Sequence, residues 1–157
     1  MKLILILVLI VVIMLIAYAI SEQYKEKFDF YNNLKNFLQQ FKLNISFKQS
    51  KLAEFIKTIK AKKQFNLFLQ SYQSYLDRGS LDLGQINILT EEEKQQLKNI
   101  VENIGGLDVK NEICQLETFL IEIDAKLKKA EEDKKKLSPM IIKLSLLFAI
   151  GLAILLV

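Results

Sequence analysis

The chain has 157 residues, 51% of them apolar, with 22 basic and 18 acidic side chains and a net charge of +4. It contains no His, no Trp and one Cys, which removes the usual general base at neutral pH, most zinc and haem ligand sets and any internal disulfide. With no phosphate-binding glycine pattern either, the chain reads as non-enzymatic, with no catalytic residues, cofactor, metal or small-molecule substrate.

Leu3 to Ile20 is a run of 18 residues without a charge or a helix breaker. As a helix it covers about 27 Å, close to the hydrocarbon thickness of a bilayer. Leu144 to Val157 is a second apolar run, and Met140 to Lys143 lengthens it if Lys143 marks its polar edge, since a lysine near a helix end extends its amine to the interface. All the acidic residues lie between the two runs. The expected organisation is therefore all-α: a transmembrane helix over residues 1–20, a helical domain over 21–138 and a second transmembrane helix over 139–157. Both termini then share one side. The flanks of the central segment carry Lys25, Lys27 and Lys35 at one end and Lys134, Lys135 and Lys136 at the other, which predicts that it is cytoplasmic. Ala17-Tyr18-Ala19 resembles a signal-cleavage site, and cleavage would reverse this topology. Against cleavage, the apolar run continues through Ile20 and the positive region is a single Lys. The lone Cys114 fits a reducing compartment.

After the first span, Tyr24, Phe28, Tyr31, Leu34, Leu38 and Phe41 trace one helical stripe, opposite Asn33, Lys35 and Asn36. This predicts a helix that packs by one side. Leu43, Ile45 and Phe47 alternate and predict a short connection or extended turn. Ser50 is placed to cap a helix with the face Leu52, Phe55, Ile56 and Ile59, and Lys60, Lys62 and Lys63 fall in its last turn, complementing the helix dipole. Phe65, Phe68, Leu69, Tyr72, Tyr75 and Leu76 supply the next face, with Gly79 as a C-terminal cap. Arg78 to Leu89 reads as a linker folded over the bundle. Thr90 and Glu93 form a capping box for a helix carrying Leu97, Ile100, Val101 and Ile104, which stops at Gly105-Gly106.

Asp108 is placed to cap the last soluble helix, about 108–137. Ile113, Leu116, Leu120, Ile123, Leu127, Ala130, Lys134 and Leu137 alternate steps of three and four along it, a heptad seam with one polar interruption. Earlier helices of the same chain can cover this seam as bundle core, or a second copy or another protein can cover it as a coiled coil; the pattern alone fits both. Ser138-Pro139 fits an N-cap and first helical position and predicts a bend before the second span.

The carboxylate clusters Glu91 to Glu93 and Glu131 to Asp133 have structural explanations, at a helix N-terminus and in pairs with Lys134 to Lys136. Basic residues interleave with rings between Phe55 and Tyr75, as in single-strand nucleic-acid binders, but the rings keep core spacing and the two signs of charge are mixed. No nucleic-acid partner is expected.

Two stretches resemble the stage III sporulation protein AB family. Ile104-Gly105-Gly106-Leu107-Asp108 followed by Asn111 is similar to that family's Leu-Gly-x-Ser/Thr-Asp followed by Gln. Asn44-Ile45-Ser46-Phe47-Lys48-Gln49-Ser50-Lys51-Leu52 is similar to its Glu-Ile-x-Tyr-Gly-x-Thr-Pro-Leu. Asn44 stands for an acid, Phe47 for a Tyr, Lys51 for a Pro, Leu107 for a hydroxyl residue and Asn111 for a Gln; length, terminal spans and motif order agree throughout. That family resembles the cytoplasmic helical domain of the inner-membrane platform protein of type II secretion and type IV pilus systems. The resemblance implies a protein of the mother-cell membrane around the forespore, working with the stage III sporulation AA ATPase and other components of a transenvelope channel.

Overall fold

A computed structural model describes residues 2–47, 52–59, 61, 63–105 and 107–156. Among them are five helices and no strand: α1 (Lys2–Phe47), α2 (Leu52–Thr58), α3 (Lys63–Arg78), α4 (Glu91–Glu102) and α5 (Val109–Leu156). The chain divides into two compact units, Met1–Phe28 with Lys129–Val157, and Asp29–Lys128.

In the Asp29–Lys128 unit, α1 is the central helix. Phe30 and Phe37 meet rings of α2 and α3, Tyr31 meets Glu93 of α4, and Lys35 and Lys42 reach Asp124 and Glu117 of α5 at 2.5 Å. The expected one-sided stripe is thus too narrow. Tyr31, Leu34, Leu38 and Phe41 are buried as predicted, but so are Phe30 and Phe37, because four neighbours surround the helix. The expected connection does not begin at Leu43: α1 runs to Phe47, with Ile45 one turn beyond Phe41 on the buried face and Leu43 exposed, and residues 48–50 lie outside the described residues. The proposed cap Ser50 lies outside the described residues.

Helix α2 buries Leu52, Phe55 and Ile56 but ends at Thr58, so Lys63 is not in its last turn. Lys63 instead opens α3 at φ 51°, the end of a helix where a cation is disfavoured. Helix α3 buries Phe65, Phe68, Leu69 and Tyr72, and Gly79, at φ +77°, ends it by donating its N–H to the Tyr75 carbonyl at 2.7 Å. The linker packs as expected, with Leu83, Ile86 and Leu89 buried. Helix α4 starts at the Thr90–Glu93 capping box and buries Leu97, Ile100 and Val101. At the following stop Gly105 has φ +92°, and a Cβ there would stand 3.1 Å from Leu52 Cδ2. The positive φ disfavours a side chain, and Leu52 would have to give way by a few tenths of an ångström to admit one.

In the Met1–Phe28 and Lys129–Val157 unit, α1 and α5 run antiparallel. Ile6, Ala17 and Ser21 on α1 and Ala130, Ser138 and Ala149 on α5 are buried, and the Ser21 and Ser138 hydroxyls share a hydrogen bond. Small residues let two helices approach closely where lipid supplies no hydrophobic drive between them. The other faces, including Leu7, Leu15, Leu147 and Phe148, are exposed. The helix start expected at Ser138-Pro139 is not seen: Pro139 lies inside α5, and Ser138 bonds across to α1 instead of capping. Ala130, Ser138 and Ala149 keep one packed stripe against α1 on both sides of Pro139, and that packing holds the helix through the lost backbone bond.

Candidate functional site

The residues singled out for interaction divide between the two units. In the Asp29–Lys128 unit the seam is closed within a single chain. Leu116 is 0% and Ile123 1% exposed, and Ile113, Leu120 and Leu127 are half-buried. The α1–α5 contact is flanked by the Lys35–Asp124 and Lys42–Glu117 ion pairs. The Lys35 ammonium holds the Asp124 carboxyl below its ordinary pKa, chiefly by hydrogen bonding. A carboxylate whose pKa is depressed by folding adds stability above its unfolded pKa, near 4, and that contribution disappears as pH falls through the folded value. Acid unfolding of Lys35→Met, followed by circular dichroism, should therefore show a smaller loss of stability between about pH 5 and pH 3 than the parent.

The outer face of α5 carries Cys114, Thr118 and Ile121, all exposed. Of the basic cluster, Lys60 and Lys62 lie outside the described residues, and Lys63 is exposed. Two shallow depressions, of about 270 and 290 Å³, are lined mainly by polar side chains around Asp82. Among the described residues no group of His, Cys, Asp or Glu is arranged to hold a metal.

The contacts of three buried polar groups of this unit escape sequence reasoning. Glu112, 2% exposed, accepts the Gly105 N–H at 2.8 Å and the Leu107 N–H at 3.3 Å, tying the α4–α5 turn to α5. The only signal was its place one turn into a helix behind a glycine stop, which any first-turn acid shares. Tyr31 donates to Glu93, the capping-box acid, and burial, followed by that carboxylate, pushes the phenol pKa up. Tyr72 is raised too, by burial first and then by Glu112, and its hydroxyl donates to the Val101 carbonyl at 3.3 Å. Asp108 caps α5 through the Asn111 N–H at 3.4 Å, while its other oxygen takes the Asn111 side-chain amide at 2.5 Å.

In the other unit, the charged run before Pro139 is ordered by pairing. Lys135 meets Glu131 at 2.6 Å, Lys136 meets Glu132 at 3.3 Å, and Lys134 lies over the Phe28 ring at 4.0 Å from its centre. The i,i+4 bond from Lys135 holds the Glu131 carboxyl below its usual range. Helices α1 and α5 are each long and apolar enough to cross a membrane, and only 11% of their most apolar windows is buried, unlike a soluble core helix.

The family model described as stage III sporulation protein AB matches residues 2–157. The chain belongs to this family. No curated protein and no solved structure matches it. Of the two stretches that resemble the stage III sporulation protein AB pattern, the α4–α5 turn is the better described. Gly105 there supplies the positive φ, Asp108 the cap and Asn111 that cap's partner, while Gly106 lies outside the described residues. In the other stretch, residues 44–47 form the end of α1 and Leu52 begins α2, with residues 48–51 outside the described residues. Two candidate membrane-spanning helices in a sporulation family fit a membrane protein.

Proposed function

We propose that this stage III sporulation AB protein is a non-catalytic platform in the membrane, docking a cytoplasmic secretion-type ATPase of the stage III sporulation AA kind and joining it to a transenvelope channel. Family membership over the whole chain carries this reading. Two candidate spans and a helical unit with a closed core and a charged surface support it, because such a unit offers faces for binding rather than a dry pocket for chemistry. In this reading the unit Asp29–Lys128 is on the cytoplasmic side of the mother-cell membrane, and α5 is the element that passes a change at the docking face toward the span. The alternative, a scaffold that self-associates through the heptad seam, is disfavoured by Leu116 and Ile123, which the chain's own helices cover.

Charge reversal tests the docking face. Lys→Glu changes at Lys60, Lys62 and Lys63, or along Lys128 to Lys136, should abolish co-purification of the ATPase from sporulating cells. Unchanged association in both sets would overturn electrostatic docking. Thiol labelling of Lys57→Cys and Lys129→Cys in a Cys114→Ser background tests the sidedness, and both should label only after cell lysis.

A further inference from the structure

The Ser21–Ser138 bond sets the level of the two spans against each other, and α5 continues beyond it to Lys143. Five residues of helix place Lys143 about 7.5 Å past that level, among the apolar side chains Met140, Leu144 and Leu147. It does not turn into the helix–helix contact, because it is exposed while Ser138 and Ala149 occupy the seam. Among the described residues no carboxylate pairs with it. The nearest acid before it on α5 is Asp133, ten residues or about 15 Å away along the helix. Any counter-ion for this lysine has to come from outside the protein.

The rest of that face indicates which one. Lys136 and Lys143 are seven residues apart, hence on one side of α5, and both are exposed. Side chains of a helix lean toward its N-terminus, so Lys143 leans back toward Lys136 and out of the apolar layer. Lys136 shares its charge with Glu132 through an exposed pair at 3.3 Å, of the kind that rearranges at little cost. We infer that Lys136 and Lys143 form a binding site on the outer face of α5 for the phosphate of an anionic phospholipid, in the leaflet where the spans meet the central segment. This rests on the reading of α1 and α5 as membrane spans.

The full chain, purified in detergent and given equal amounts of phosphatidylglycerol and phosphatidylcholine with matched acyl chains, should retain phosphatidylglycerol preferentially in native mass spectrometry. Lys143→Gln and Lys136→Gln should each lower that retention about fivefold and leave phosphatidylcholine unchanged, the scale of one interfacial lysine. Lys57→Gln, on α2, should not alter it. No preference in the parent, full retention in the double variant, or an equal loss in Lys57→Gln would overturn the site. Alkaline carbonate treatment of membranes carrying the parent separates the two failures. Release of the protein would overturn the spanning reading and the lipid site with it, whereas retention without a lipid preference would overturn the lipid site alone.

Discussion

Phe37→Ala should destabilise the Asp29–Lys128 unit by about 3–5 kcal/mol, a large share of a typical domain's total stability. Phe37 is 2% exposed and stands within ring contact of Phe41, Phe55, Phe65, Phe68 and Tyr72, at centroid separations from 5.7 to 6.5 Å. Its removal opens a cavity where α1, α2 and α3 meet, and the neighbouring rings are too constrained by one another to collapse into it. Several of these contacts are edge-to-face, which adds to the burial energy. Phe37→Leu retains most of the apolar volume and should lose only about 1 kcal/mol. Urea unfolding of both variants in detergent, followed by near-ultraviolet circular dichroism, measures the difference. A loss below about 1 kcal/mol for the alanine variant would mean that the ring cluster is not the centre of the core.

That cluster shows what was legible in the sequence and what was not. Period, caps and stops are local, so α3, α4, the Thr90–Glu93 box and the ends at Gly79 and Gly105 follow from residues within a turn or two of each other. The number of neighbours around a helix is not local. Phe30 and Phe37 fall outside the stripe that contains Tyr31, Leu34 and Leu38, and they become core only because α2 and α3 cover a second face of α1. Lys35, which pattern alone places with the solvated Asn33 and Asn36, pairs across 89 residues with Asp124. Pro139 misled for the same reason. A proline reads locally as a helix start, yet packing of small residues on both sides of it carries α5 through. The candidate interaction residues were legible as charge runs, while the buried Glu112 and the Ser21–Ser138 bond depend on the approach of segments that no short-range pattern records.

Leu116→Asp should unfold the Asp29–Lys128 unit outright, and with it any partner binding the unit supports. Leu116, in the α5 seam, is 0% exposed. The substitution removes a buried apolar side chain and leaves a carboxylate without a counter-charge in its place, which together cost more than about 5 kcal/mol. Ile121 is the control on the same helix: five residues on and 73% exposed, it faces away from the seam, and Ile121→Asp should change stability by no more than about 0.5 kcal/mol. The pair separates the two uses of a heptad. If the seam is the chain's own core, Leu116→Asp loses its cooperative unfolding transition and Ile121→Asp keeps it, and cross-linking of the parent in membranes shows no dependence on Leu116 apart from folding. A Leu116→Asp protein that keeps its circular dichroism spectrum and loses only self-association would mean that the seam pairs chains. The platform reading would then have to give way to a scaffold whose heptads are the working surface. The flanking ion pairs favour the first result, because Lys35 and Lys42 of α1 line one edge of the seam where a second α5 would have to lie.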